Sequence, residues 1–231
     1  MPESVKPRRA YDSPRRREQA RATRHAVLEA ARALFIESGY VATTIDAIAA
    51  RANVAPETVY AVFGTKRSLL SELVDVSIAG GDEAPPIFEQ PWVQEMRDEP
   101  DPRRRLQILA SNGRSILERR AAVDEVVHGA AAADPEIATL WERGKAQRYA
   151  GQSALLRIVL GKAGLRAGMG FETAVDILYS LGSPETYRLL VVDRGWSGAR
   201  FERWYGETLE RLLLEPAIGA VATAPLLQTD E

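Results

Sequence analysis

The chain has 231 residues, of which 45% are hydrophobic and 27% charged, a composition typical of soluble globular proteins with one large or two small domains. It has no cysteine and two histidines, His25 and His128, which excludes a disulfide framework, thiolate chemistry and a histidine-rich metal site. No apolar run of about 18 residues predicts a membrane span, and the basic N-terminus lacks the apolar segment of a secretory signal. We therefore expect a cytoplasmic protein without a membrane partner.

The net charge of −2 conceals an uneven distribution along the chain. Residues 1–70 hold 12 basic and 7 acidic side chains, whereas residues 71–231 hold 18 basic and 25 acidic ones. A basic N-terminal part followed by an acidic body is expected if one end meets a polyanion such as nucleic acid. A solvated basic tail would give the same distribution, so charge alone leaves the partner open.

Helical periodicity dominates the chain and no strand pattern of useful length occurs, so we predict an all-α fold. Residues 1–14, with three prolines and no apolar periodicity, are predicted to form a disordered basic arm. The predicted helices are a long one from Arg15 to a stop at Gly39, a short one after Thr43–Thr44, a third from Pro56 to about Val62, a fourth from Thr65 to about Ser77, and others at about 91–97, 102–119, 122–132, 135–160, 171–181, 184–193 and 198–214.

Local signals mark the ends of the second and third helices. Thr43–Thr44 offers an N-cap, and Asn53 suits the left-handed position that ends a helix. Pro56 fits the first position of the third helix, where its missing N–H costs nothing. A helix of about seven residues is too short to be stable alone, so Val59 and Phe63 must hold it against its neighbours.

These two short helices and the tight turn between them form a predicted helix-turn-helix over residues 44–63. In such a motif the second helix can enter the major groove of DNA and present its N-terminal side chains to base edges. A plain helical hairpin within a larger bundle has the same spacing. Spacing therefore favours DNA binding without deciding it.

Residues 26–70 resemble the DNA-binding module of TetR-type regulators nearly position for position. The matching residues are Ala30–Ala31, Leu34–Phe35, Gly39–Tyr40, Thr43–Thr44–Ile45, Ile48–Ala49, Ala52, Val54, Thr58–Val59–Tyr60, Phe63, Lys66 and Leu69–Leu70. The resemblance covers the N-terminal third, and the remainder is matched mainly by its helical pattern. Asn53, Ala55, Val62 and Gly64 depart from the residues common in the family at those positions.

The resemblance implies that Thr43 or Thr44 and Tyr60 contact the DNA backbone while Pro56, Glu57 and Thr58 face the groove. Lys66 and Arg67 lie in the first turn of the fourth helix, where a cation opposes the helix dipole but suits a phosphate. The complete predicted set of DNA-contacting residues is Arg15, Arg16, Arg17, Arg21, Thr43, Thr44, Ala55, Pro56, Glu57, Thr58, Tyr60 and Lys66. For the arginines, a merely solvated tail is the alternative.

The resemblance also implies a domain division: a DNA-binding domain at 15–78, a connector at 79–100, and an effector-binding and dimerisation domain at 101–231. A homodimer on a palindromic operator would read two half-sites about 34–36 Å apart. The candidate interface residues are Leu178, Leu181, Tyr187, Leu190, Leu209 and Leu213, and the candidate effector-pocket residues are Trp141, Tyr149, Phe171, Tyr179 and Trp204. Ordinary intramolecular core is the alternative for both sets.

The function that we predict is that of a ligand-responsive transcriptional repressor. An activator or a regulator without an effector has the same sequence features. An all-helical enzyme and a helical interaction module that does not bind DNA are alternatives from other classes. The sequence lacks a paired nucleophile and base, a phosphate loop after a strand, and a metal-ligand cluster, and the stretch around Asp124, Glu125 and His128 is interpreted as a packed helix. We therefore expect no enzymatic activity, no cofactor and no metal.

Overall fold

The structure, a computed structural model, describes residues 14–216. Within that range the elements are α1 (Pro14–Ala42), α2 (Ile45–Ala52), α3 (Pro56–Phe63), α4 (Lys66–Ala79), a 3-10 turn (Ile87–Glu89), α5 (Pro91–Asp98), α6 (Pro102–Ala131), α7 (Pro135–Leu160), α8 (Phe171–Leu181), α9 (Pro184–Tyr187) with a π-helix directly after it (Arg188–Asp193), and α10 (Gly198–Leu213). No strand occurs between residues 14 and 216, so the all-α prediction is confirmed. None of the described helices is long and apolar enough to cross a membrane. The predicted disordered arm lies outside the described residues except for Pro14, which begins α1.

The helices form two compact units. Of the described residues, the N-terminal unit contains 14–84 together with Ala122–Arg143, and the C-terminal unit contains Pro85–Ala121 and 144–216. α6 and α7 therefore contribute residues to both units. This grouping differs from the division drawn from the sequence, because the corner between α6 and α7 joins the unit that contains the helix-turn-helix.

One apolar core holds the N-terminal unit together. Its fully buried side chains include Phe35 and Leu28 of α1, Ile48 of α2, Val59 of α3, Leu69 and Leu70 of α4, Val123 of α6 and Ile137 of α7. Burying each of the larger side chains contributes about 1.5–3 kcal/mol. The core thus stabilises α2 and α3, each of eight residues and too short to persist alone.

Caps fix where the short helices begin and end, as the sequence predicted. The Thr44 hydroxyl accepts a hydrogen bond from the Ala47 N–H, and Asn53 adopts left-handed φ and ψ angles of 55° and 46°. Gly64 has a positive φ of 74° at the end of α3, and the Thr65 hydroxyl accepts from the Ser68 N–H at the start of α4. These four residues set the angle between α2 and α3 and the angle between α3 and α4.

Three helix predictions need correction. The predicted break between 119 and 122 is wrong, because α6 runs unbroken from Pro102 to Ala131. Alanine and arginine, both good helix formers, fill the sequence there, and no breaker stands among them. Gly39, the predicted stop of the first helix, does leave helical geometry (φ 78°, ψ 164°), but the helix resumes to Ala42. The predicted helix 184–193 is one α-helical turn followed by the π-helix.

Candidate nucleic-acid interface

The outer face of α3 is the exposed surface of the helix-turn-helix. Val59 and Phe63 are 1% and 6% exposed and attach α3 to the core, whereas Tyr60 is 53% exposed. Glu57 is also exposed, and Pro56 and Thr58 are half-buried. Side chains three or four positions apart share a helix face, so the buried pair and the exposed residues point in different directions. α3 therefore presents Glu57 and Tyr60 outward on a helix that packing holds in place.

The two threonines that precede α2 have different roles. Thr43 is 3% exposed, and its hydroxyl lies 2.8 Å from the carbonyl oxygen of Gly39 and 3.1 Å from that of Leu34. Thr44 is exposed, and its hydroxyl oxygen accepts from the Ala47 N–H, which leaves its own O–H free to donate. Of the two predicted backbone contacts, Thr44 is the one with an accessible hydroxyl. Thr43 is an internal bridge within the turn after α1.

Lys66, predicted to contact phosphate, points into the protein. Its ammonium group donates to the carbonyl oxygens of Tyr40 (2.8 Å) and Thr43 (2.7 Å). It also lies 4.3 Å from the centroid of the Tyr40 ring, and desolvation lowers the pKa of Lys66 below its ordinary value. Two of its three N–H donors are thus used within the N-terminal unit. This geometry favours a positioning role for Lys66 over a phosphate contact.

Arg67 joins the start of α4 to the corner between α6 and α7. Its guanidinium contacts Glu136 and lies 3.7 Å from Asp134, and Tyr40 packs close enough for both carboxylates to act on its phenol. Burial is the main reason that the pKa of Tyr40 is raised. The two cations in the first turn of α4, which the sequence offered as a phosphate site, therefore have partners in their own unit.

Arg24 links α1 to other parts of the N-terminal unit, a role that the sequence did not predict. Its guanidinium donates to Asp82 at 2.7 Å and to Glu72 at 2.5 Å, and it lies 5.1 Å from the centroid of the Phe63 ring. These contacts connect α1 to the end of α3 and to both ends of the segment 72–82. Partners 48 and 58 residues away leave no local signal that could have predicted them.

The predicted basic arm is part of a helix where the structure describes it. Arg15, Arg16, Arg17 and Arg21 are exposed on the first turns of α1. Arg21 pairs with Glu83 at 3.0 Å, and both side chains are more than half exposed, so this pair contributes little stability. No acidic residue stands in the first turn of α1 to balance the arginines. That end of the helix consequently concentrates positive charge.

A known protein family matches the segment that contains the helix-turn-helix. The family model for bacterial regulatory proteins of the tetR family matches residues 27–73, which span the end of α1, all of α2 and α3, and the start of α4. The chain therefore carries a segment of the tetR type, and it is similar to HTH-type transcriptional regulators.

Similar proteins match most of the chain. It is 27% identical over 184 residues to YdeS of Bacillus subtilis, named as an uncharacterized HTH-type transcriptional regulator, with 78% of this chain and 84% of that one covered. It shares its fold with the transcriptional regulator FadR of Bacillus subtilis, solved with stearoyl-CoA (TM-score 0.63, 17% identity, 80% of this chain and 96% of that one). It also shares its fold with SmeT, solved with triclosan (TM-score 0.64, 21% identity, 90% and 100%).

The candidate dimer residues lie mostly in the internal core of the C-terminal unit. Leu178, Leu209 and Leu213 are fully buried within the C-terminal unit, and Tyr187 is 5% exposed. Leu181 and Leu190 are half-buried and pack against the same core. Among residues 85–216, the large apolar side chains that are exposed in this unit are instead Leu189 (55%), Val192 (65%), Leu212 (37%), Phe88 (39%) and Tyr149 (37%). Leucines spaced along α8 and α10 do not reveal which face is covered by the chain itself.

The five candidate effector-pocket aromatics do not form one cluster. Trp141 belongs to the N-terminal unit, where it packs against His128, and the other four belong to the C-terminal unit. Tyr149 meets Tyr179 edge-on, Trp204 packs against Phe201 and Trp196, and Phe171 lies beneath Arg157. Among residues 14–216 no group of three potential metal ligands occurs around His128 or elsewhere.

Proposed function

We propose that this regulator binds a palindromic operator as a homodimer, with the outer face of α3 in the major groove, and that a small-molecule effector releases it. The observation that carries the proposal is the division of α3 into a buried side, Val59 and Phe63, and an exposed side that includes Tyr60 at 53%. A rigidly packed helix with free outward side chains can read base edges without reorganising. We propose that it acts in the cytoplasm, where its operator would lie.

The proposed contacts divide into two kinds. Glu57 and Thr58, near the start of α3, would meet base edges, and Tyr60 and the Thr44 hydroxyl would contact the backbone. The N-terminus of α3 carries no side-chain cap. Pro56 has no N–H, and the Thr58 N–H donates to the Ala55 carbonyl oxygen at 2.9 Å, so the Glu57 N–H is the one that a phosphate or water would satisfy. The arginines of the first turns of α1 would add nonspecific affinity that falls with salt.

A dimer is needed because eight residues of recognition helix read few base pairs. Two copies related by a twofold axis double the number of base pairs read, and they require a palindrome with half-sites about 34–36 Å apart. Among the exposed apolar residues, Leu189 and Val192 lie together on the π-helix, so we place them in the dimer interface. The buried leucines of α8 and α10 would support that surface from behind.

Effector release is supported by the relatives that were solved with small molecules, stearoyl-CoA for FadR and triclosan for SmeT. A coupling free energy of about 1–3 kcal/mol between effector and operator would be sufficient for regulation. We propose a regulatory and not a catalytic role, because the family is one of transcriptional regulators.

Selection of bound sites from random DNA tests the proposal. We expect the full chain to enrich a palindrome and to shift it with an affinity that falls as salt rises. A triple variant of the outer face (E57A, T58A, Y60A) should lose the selected site while it keeps its helical circular dichroism. A matched triple variant on the C-terminal unit (E95A, R97A, D98A) should bind normally. Enrichment of no site, or of the same site by the outer-face variant, would contradict the proposal.

A further inference from the structure

The C-terminal unit contains two buried polar atoms without a hydrogen-bond partner that lie on the same face of α7. They are Nη1 of Arg148 and Oε1 of Gln152. Residues four apart on a helix are neighbours on one face, so the guanidinium donor and the amide acceptor leave α7 in the same direction. A buried polar group without a partner costs free energy, and a buried charge costs more. A molecule that accepts a hydrogen bond from Arg148 and donates one to Gln152 would satisfy both atoms.

The Arg148 side chain is held in place, but the carboxylate beside it compensates its positive charge only weakly. Its side chain is 11% exposed, and its guanidinium lies 3.9 Å from the centroid of the Tyr179 ring on α8. The carboxylate in contact with it, Glu185, lies 4.0 Å from Nη2, and the Glu185 side chain is 60% exposed. A solvated carboxylate at that distance compensates a buried cation poorly. The ring fixes the plane of the guanidinium and leaves Nη1 available.

Gln152 is oriented by the end of α8. Its Nε2 donates to the carbonyl oxygen of Gly182 at 3.4 Å, and because a carbonyl can only accept, Oε1 must point elsewhere. Tyr205 of α10 reaches the same glycine: a Cβ on Gly182 would collide with its phenol oxygen and lie 3.0 Å from its Cζ. Gly182 thus brings the Gln152 amide and the Tyr205 hydroxyl together.

Tyr205 remains a neutral donor. It is 3% exposed, and burial raises the pKa of its phenol well above the ordinary value although the charge of Arg148 opposes the rise. The cluster therefore offers one cationic donor, one neutral donor and one acceptor. On its Tyr205 side the cluster meets the apolar core of the unit, where Tyr205 stacks on the fully buried Phe201 with 5.7 Å between ring centroids.

We propose that Arg148, Gln152 and Tyr205 bind the carboxylate end of a small organic acid, which is the effector of this regulator. One carboxylate oxygen accepts from Arg148 Nη1, a hydroxyl or N–H beside the carboxylate donates to Gln152 Oε1, and the Tyr205 hydroxyl donates to the second oxygen. The carbon tail of the acid lies in the apolar core. The inference rests on the proposed response to an effector, and it adds the chemical class that the site selects.

The test uses the full chain without DNA and a series of linear 2-hydroxycarboxylates from glycolate to 2-hydroxydecanoate, each paired with its neutral amide. We expect at least one acid to bind in calorimetry at least about tenfold more tightly than its amide, the size of one charge-assisted hydrogen bond. R148M should raise the dissociation constant for that acid by about tenfold or more. R157M is the matched control on the same helix, because Arg157 lies over Phe171 at 4.4 Å but is exposed, and it should bind the acid normally.

A purely structural role for Arg148 predicts a different result. In that case R148M lowers the melting temperature of the ligand-free protein, whereas removal of a poorly compensated buried charge should leave it unchanged or raise it. Failure of every acid in the series, equal binding of acid and amide, or undiminished binding by R148M would each overturn the proposal, and water alone would then satisfy the two atoms. Operator binding is measured separately on the same protein, so these failures do not count against DNA recognition.

Discussion

The ammonium group of Lys66 lies 2.8 Å from the carbonyl oxygen of Tyr40 and 4.3 Å from the centroid of the same residue's ring. One side chain of α4 thereby holds the last turn of α1 through both its backbone and its aromatic face. A second bond, to the carbonyl oxygen of Thr43, extends the contact to the residue before the α2 cap. A partly buried cation thus holds the start of the helix-turn-helix in place.

Replacement of Lys66 by methionine should destabilise the N-terminal unit without removing a phosphate contact. Loss of two charge-assisted hydrogen bonds is expected to lower the free energy of unfolding by about 1–3 kcal/mol in urea titrations. Operator affinity should fall while the slope of log affinity against log salt stays unchanged. R15Q, which removes an exposed cation, should lower that slope by about one unit. A reduced slope for K66M would instead assign Lys66 to the DNA backbone.

The titration of Lys66 offers an independent check. Desolvation lowers its pKa below the ordinary 10.5, so in the alkaline range below 10.5 the unfolded chain binds more protons at this residue than the folded one. Its contribution to stability therefore rises with pH through that range and is complete above 10.5. Nitrogen-detected NMR of lysine Nζ should show one resonance, absent in K66M, that titrates earlier than those of exposed lysines. Titration of Lys66 at or above 10.5 would show that the ammonium is solvated.

Glu57→Gln should change which bases the regulator prefers and leave its fold intact. A carboxylate can accept from the amino group of cytosine, whereas an amide can both donate and accept, so the selected half-site should differ by at least one position. Each such base contact is worth about 1–3 kcal/mol. Glu95→Gln, the same exchange at another exposed glutamate, on α5, should select the wild-type site. Identical motifs from E57Q and wild type would place Glu57 outside the groove.

Gly182→Ala should destabilise the C-terminal unit because the added methyl group collides with the Tyr205 phenol. Overpacking of this kind costs about 1–3 kcal/mol, measured as the shift in the urea midpoint. Y205F in the same chain should recover part of the loss. Gly144→Ala, in the interior of α7 with nothing within 4 Å of the new atom, should stabilise by about 0.5–1 kcal/mol. A neutral G182A would mean that Tyr205 moves aside at no cost.

Val192→Glu should weaken dimerisation. Val192 is 65% exposed on the π-helix, and a charge buried at an apolar interface should raise the dissociation constant by about tenfold or more in sedimentation experiments. Val41→Glu makes the same exchange at a valine of the N-terminal unit that is 71% exposed, and its dimer should dissociate like the wild type. An unchanged dimer in V192E would move the interface away from the π-helix.

The ends of the helix-turn-helix could be predicted from the sequence because each depends on neighbours a few residues away. Thr44 and Thr65 cap the N–H three positions on, and Asn53 and Gly64 take backbone angles that few other residues accept. Apolar spacing likewise predicted that Val59 and Phe63 face inward. These features of the amino-acid order were sufficient to place α3 and its outward side chains.

Tertiary packing alone decided what the long and charged side chains do. Lys66 turns to carbonyl groups 23 and 26 residues away, Arg24 reaches carboxylates 48 and 58 residues away, and no local rule predicts such partners. The leucines of α8 and α10 have the same spacing whether a helix of their own chain or of a partner covers them, and the fold buries most of them internally. Burial depends on what lies opposite a residue in space, which sequence spacing does not record.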